Sequence, residues 1–294
     1  MCKKRYLRCG SEDLSNCIPK GPCWSGRINE VRPITLLEHG RKILFSILVE
    51  RLTAIFMSKD ILKGPNFSVL KGTMTKDPIH ILNAVMEDAR EFNKEAWVLF
   101  QDMRRCFDSV SCHDDGMLDR ALRWLKIPSS FRRLCLDIAA TKTNRVITAY
   151  GLTEEYHPRC GLDQGGVECP LFWRISYEIL LTAVMDAGLG YPFMRQEALR
   201  AHYRLPAIPV YVEEEPETSV SALAFVDDTI WIAPSKSNLQ AIADIALSFF
   251  DLNSIEINSE SLSSSSSTPH RSPEISIWDK TSSSLVPLMS ECAC

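Results

Sequence analysis

No apolar run in this 294-residue chain reaches the ~18 residues that a membrane-spanning helix needs. The start, Met-Cys-Lys-Lys-Arg-Tyr, lacks the apolar core of a secretory leader. Together these absences predict a soluble, intracellular chain without a membrane partner, and they leave nuclear and cytoplasmic locations equally open. Regular cysteine spacing is missing too. The eleven cysteines are an odd number, and Cys2, Cys9, Cys17 and Cys23 have neither a C-x2-C knuckle nor a nearby histidine. That argues against a secreted disulfide framework and against a zinc cluster, and favours reduced thiols. No internal repeat is present. A surplus of basic charge is also absent, since the net charge is −4. Charge is uneven, however: residues 1–51 carry ten Lys/Arg against five acids, while Glu213-Glu214-Glu215-Pro216-Glu217 is a local acidic block. The basic segment is compatible with a polyanion, but the chain as a whole is not a polycation.

What is present is a core. The chain is 45% hydrophobic, which excludes wholesale disorder. Residues 1–30 show no periodicity and are expected to be irregular. Apolar residues from Leu36 to Phe56 recur at helical spacing, and Gly64-Pro65-Asn66 marks a break. A second helical stripe runs Ile79, Leu82, Val85, Met86, Ala89. Trp97–Phe100 is a short buried strand, and Arg145–Tyr150 alternates as a strand does. Pro170 suits the first turn of a helix with a wide apolar face through Val184. Residues 188–219 form a Pro- and acid-rich excursion, with a strand expected at Ile208–Val212. Ser235 or Ser237 caps a helix with Leu239, Ile242, Ile245, Ala246, Phe249 and Phe250 on its core side. The mixture predicts an α+β fold. The Ser-rich tail, 259–294, is expected to be disordered.

Chemistry concentrates in carboxylates. Phe225-Val226-Asp227-Asp228 sits between the apolar runs Ala222–Val226 and Thr229–Ala233, which reads as a hairpin with an acidic tip. Alone, such a tip is usually a solvated turn. A third acid, Asp102, ends the strand Trp97–Gln101 and leads into Met103-Arg104-Arg105-Cys106-Phe107-Asp108. Acids at the ends of neighbouring strands can bind two divalent cations and carry phosphoryl or nucleotidyl transfer. For Asp102 the plainer alternative is a helix cap before Met103.

In order the chain shows Arg32-Pro33-Ile34, Asp102…Phe107-Asp108, Gly161-Leu162-Asp163-Gln164-Gly165-Gly166, then Phe225-Val226-Asp227-Asp228. This series resembles the reverse transcriptase domain, most closely that of non-long-terminal-repeat (LINE-type) retrotransposons, over roughly residues 27 to 258. The resemblance implies a right-hand polymerase palm, an antiparallel sheet backed by helices, at 97–258, with helical fingers at 31–96. It implies that Asp102 and Asp227 grip two Mg2+ ions, with Mn2+ as the alternative, and that Asp228 assists. Phe107 would close over the sugar and disfavour a 2′-hydroxyl. Gln164 and Gly165 would meet the incoming nucleotide and Arg32 its triphosphate, while Lys63 and Lys71 flank a turn supporting the template. RNA template, DNA primer and dNTPs are the implied partners.

The resemblance has gaps. After Ile255-Glu256-Ile257-Asn258 the family's lysine is replaced by Ser259-Glu260-Ser261, and Asp163 stands where related elements often carry a base. No thumb, endonuclease or RNase H segment is recognisable, so the sequence reads as a truncated copy. Two functions remain: an RNA-directed DNA polymerase, or a non-catalytic relic with at most weak nucleic-acid binding.

Overall fold

A computed structural model describes residues 13–19, 25, 27, 31–140, 142–158, 160–193 and 219–257, and the backbone of 263–267, 274–279 and 284–287. The chain begins with β1 (Asp13–Pro19), β2 (Val31–Leu36), α1 (His39–Ser58), α2 (Lys76–Glu91), β3 (Ala96–Gln101) and β4 (Met103–Arg104). There follow α3 (Cys106–Ser109), α4 (Met117–Trp124), α5 (Ser129–Ala140), β5 (Asn144–Thr148), β6 (Gly151–Leu152) and α6 (Cys169–Asp186). Then come β7 (Tyr191–Pro192), β8 (Ser219–Val220), β9 (Ala222–Phe225), β10 (Asp228–Ala233), α7 (Lys236–Asn253) and β11 (Glu256–Ile257). The tail holds β12 (Ser263–Ser267), β13 (Glu274–Asp279) and β14 (Ser284–Pro287). The mixture of helices and antiparallel sheet is the α+β architecture expected from the pattern.

The elements divide into two compact units, Met1–Leu62 with Arg105–Ser176 and Lys63–Arg104 with Tyr177–Cys294. Each unit joins two separate stretches of chain.

The first unit is built on the sheet β2-β1-β5-β6. Strand β1 lies antiparallel to β2 and parallel to β5, with Asp13 opposite Asn144. This strand was not visible as a pattern, because its inward residues Asp13 and Ser15 are polar and buried. Hydrophobic alternation marks a half-buried strand only when the buried face is apolar. The unit's core includes Phe45, set edge-on to Phe172 at 6.2 Å between centroids, and the fully buried Leu118 and Leu122.

The second unit carries the larger sheet, in the order β14-β13-β12-β3-β10-β9, every neighbouring pair antiparallel. Helix α2 turns Ile81, Val85 and Ala89 onto Ala96, Tyr191, Phe193, Leu223 and Ile232. Burying each large aliphatic side chain stabilises the fold by about 1.5–3 kcal/mol. Helix α7 buries Leu239, Ile242, Ala246 and Phe250, and Ser235 caps it by accepting from the Asn238 N–H at 3.2 Å. The excursion after α6 is closed by β7 pairing with β8. The strand expected at Ile208–Val212 lies outside the described residues.

The tail departs from the expectation of disorder where it is described. Ser263–Ser267 pairs with β3 along its whole length, Ser263 opposite Phe100 and Ser267 opposite Ala96. Ladder hydrogen bonds come from the backbone, so a serine run can extend a sheet whose neighbouring strand is already fixed.

Candidate functional site

The acidic hairpin is a two-residue turn. Phe225 pairs with Asp228, which leaves Val226 and Asp227 as the corner. Val226 has φ +60°, a left-handed conformation that is strained for a β-branched residue. Asp227 is half-buried at the corner, and Asp228 is the exposed first residue of β10. On the other side β10 pairs with β3, Thr229 opposite Gln101. One residue further along that register sets Asp228 beside Asp102. Asp102 does not cap a helix: Met103 and Arg104 continue as β4, paired with Ile257 and Glu256 of β11. All three acids therefore stand at one end of β3 and β10.

Their surroundings make that end rigid. Trp231 is fully buried and donates its indole N–H to Gln101 Oε1 at 2.8 Å. Thr229 shares a 3.0 Å hydrogen bond with the Tyr177 hydroxyl. Partial desolvation, and then the charges of Asp227 and Asp102, push the Asp228 carboxyl above the usual carboxylate range. Like charges held together in this way are relieved by a cation.

Carboxylate oxygens are the donors that Mg2+ and Mn2+ take. Among the described residues no three His, Cys, Asp or Glu side chains converge into a ready-made cage. The fit of Asp102, Asp227 and Asp228 to divalent cations accordingly rests on donor type, strand-end placement and mutual repulsion.

The other expected residues lie in the first unit. Arg32 is exposed on β2, three residues before Thr35, whose N–H donates to the Gln164 carbonyl at 2.7 Å. Gly165 follows with φ +119°, and a Cβ there would meet the Thr35 carbonyl oxygen at 2.7 Å, so only glycine fits. Phe107 is half-buried, 6.2 Å from the Trp173 ring, and its carbonyl accepts from the Leu162 N–H at 2.8 Å. The structure thus brings Arg32, Phe107, Gln164 and Gly165 onto one loop-and-strand assembly.

Asp163 is the residue whose place the sequence did not explain, and here it turns inward. It is buried between Arg41 at 3.0 Å and Lys142 at 3.0 Å. Arg41 also pairs with Asp13 at 2.8 Å and Glu168 at 3.2 Å, and Lys142 donates to the Gly161 carbonyl at 2.8 Å. Burial, only partly offset by Arg41, raises the Asp13 carboxyl to about 6. A cavity of about 10 Å3 lies among Arg41, Phe45, Lys142, Asp163 and Phe172, room for one water and far too small for a nucleotide. Arg41 and Lys142 escaped sequence analysis because partners 122 and 21 residues away leave no local pattern. Lys63 and Lys71 are both exposed.

Three comparisons bear on this geometry. The family model described as "Reverse transcriptase (RNA-dependent DNA polymerase)" matches residues 18–267. The chain is 24% identical over 242 residues to the Retrovirus-related Pol polyprotein from type-1 retrotransposable element R2 of Nasonia vitripennis, covering 82% of this chain and 20% of that protein. Its fold is similar to apo telomerase from Candida tropicalis truncated from its C-terminal domain, with TM-score 0.54 and 15% identity over 82% of this chain and 48% of that one. Telomerase from Candida albicans in complex with a TWJ fragment of telomeric RNA gives TM-score 0.53 and 12% identity over 96% of this chain and 46% of that one. The chain thus spans a fifth of the curated relative and about half of each telomerase chain. At these identities the telomerases speak for the right-hand polymerase fold alone. No described helix is long and apolar enough to cross a membrane. With the family model covering most of its length and the acidic hairpin standing beside Asp102, the chain belongs to the reverse transcriptase family.

Proposed function

We propose that the chain transfers nucleotides from dNTPs to the 3′-hydroxyl of a DNA primer, directed by an RNA template. The observation that carries this reading is the placement of Asp102, Asp227 and Asp228 at the same end of two paired strands. Asp102 and Asp227 hold the divalent cations and Asp228 assists. When bound there, two Mg2+ ions supply the Lewis acidity that activates a 3′-hydroxyl and steadies a leaving pyrophosphate. Arg32 offers a planar guanidinium to the triphosphate, a geometry suited to paired hydrogen bonds with phosphate oxygens. Gln164 and Gly165 present backbone and amide to the nucleotide. The half-buried Phe107 ring stands against the sugar and excludes a 2′-hydroxyl.

The test is primer extension on an RNA template with Mg2+ and dNTPs, wild type beside Asp227→Asn. Loss of extension in a folded variant supports the assignment, and retained extension removes Asp227 from the site. Phe107→Ala is expected to raise rNTP use relative to dNTP; an unchanged ratio returns Phe107 to a packing role. The second reading, a non-catalytic nucleic-acid binder, is favoured by Ser259-Glu260-Ser261 in place of a lysine. A folded wild type that binds a primer–template yet never extends it would establish that reading.

A further inference from the structure

Beside the acidic hairpin lies a short segment, Gly64–Ser68, with no chemistry of its own. It meets β9 as a partial strand: Asn66 bridges to Ala224, the Phe67 N–H donates to the Ala224 carbonyl at 2.8 Å, and the Ala224 N–H donates to the Pro65 carbonyl at 2.8 Å. Its start is anchored on α6. The Gly64 N–H donates to Glu178 Oε1, and a Cβ on Gly64 would fall 2.7 Å from Leu181 Cβ. Glycine alone permits that approach.

Asn66 is 3% exposed, and its amide is used at both ends. Nδ2 donates to the Val226 carbonyl at 3.2 Å. Oδ1 accepts from the Ser68 N–H at 3.0 Å and from the Ser68 hydroxyl at 2.6 Å. Those two bonds fix the amide's orientation, so the NH2 group points at the hairpin corner. The residue it reaches is Val226, which holds φ +60° immediately before Asp227. A β-branched residue persists in a strained conformation only when its surroundings over-determine it.

Resting on the proposed polymerase reading, we propose that Asn66 is a positioning residue: by holding the Val226 carbonyl it keeps the corner in its left-handed form and aims Asp227. Asn66 touches no reacting group. Its effect passes through the turn, and it is therefore separable from nucleotide binding.

The experiment compares wild type, Asn66→Ala, Val226→Gly and the double variant by steady-state extension and by amide hydrogen exchange across residues 222–233. Asn66→Ala is expected to lower kcat on the order of 10- to 100-fold, the usual consequence of a misplaced catalytic group, with KM for dNTP unchanged. Exchange at the hairpin should quicken. Glycine occupies positive φ without strain, so Val226→Gly should recover most of both losses in the Asn66→Ala background. A KM effect alone, unchanged exchange at 222–233, or no rescue by glycine would overturn the proposal. Should Asn66→Ala fail to fold, Ser68→Ala, which removes one of the two bonds orienting the amide, replaces it; a smaller loss in the same direction supports the clamp and no change overturns it. If wild type never extends a primer, the polymerase reading falls by itself. The exchange comparison then decides the clamp without reference to catalysis.

Discussion

The two loops that carry candidate residues, one in each unit, are held by opposite means. In the first unit, Asp163 anchors Gly161–Gly166 through buried ion pairs with Arg41 and Lys142. In the second, the corner at Val226 is held by an asparagine amide on its carbonyl, and the adjoining strand by neutral backbone pairing of Ala224 with residues 65–67. The difference follows from what each loop must offer. On the proposed polymerase reading, a cation built in beside Asp227 and Asp228 would neutralise the charge offered to a metal ion, whereas the charges around Asp163 are buried away from Gln164 and Gly165. Ion pairs rigidify, but they carry their own desolvation cost and their own pH dependence.

Breaking the charged anchor should have the largest effect. Asp163→Ala leaves Lys142 without its carboxylate partner in a buried site, and the expected loss is about 3–5 kcal/mol in urea unfolding. A loss below ~1 kcal/mol would mean that the network contributes little beyond shape.

The same network predicts a pH dependence that the neutral loop does not share. Asp13 rises to about 6 in the folded chain from an ordinary 3.8. Between those values the folded state keeps a proton that the unfolded state releases. The contribution of Asp13 to stability is therefore greatest below about pH 4, falls by roughly 2–3 kcal/mol as pH climbs to about 6, and is flat above. Asp13→Asn, facing Arg41, Asp163, Lys142 and Glu168, should erase that slope in thermal denaturation scans. An unchanged slope would assign it to another group.

Smaller effects separate the two turns. Gly165→Ala combines φ +119° with a 2.7 Å approach to the Thr35 carbonyl and should lose about 1–3 kcal/mol. Val226→Gly works the other way. It relieves left-handed strain of about 1–3 kcal/mol against a chain-entropy cost of about 0.5–1 kcal/mol. The net is a gain near ~1 kcal/mol by the same measurement. A loss instead would show that the Val226 side chain packs more than its conformation strains.

Much of this molecule was legible in one dimension. Apolar spacing located α2 and α7, the strand before Asp102 and the hairpin around Asp227 and Asp228, because those elements bury apolar faces with their own periodicity. The ordered series of Arg32, Asp102, Phe107, Gln164 and the paired acids was enough to place the chain beside a family. Strand β1 was not legible, since its buried residues are polar. Nor was the pairing of Ser263–Ser267, which depends on backbone groups that every sequence has.

By itself, then, the sequence determined the family and the alternation of helices and strands, which are encoded by residue type and short-range spacing. Tertiary structure alone decided the rest. It turned Asp163 inward to Arg41 and Lys142, brought Thr35 to Gln164 and set Asn66 under Val226. Those contacts join residues from 21 to 160 positions apart. Only folding brings such partners within the ~3 Å at which hydrogen bonds and ion pairs act.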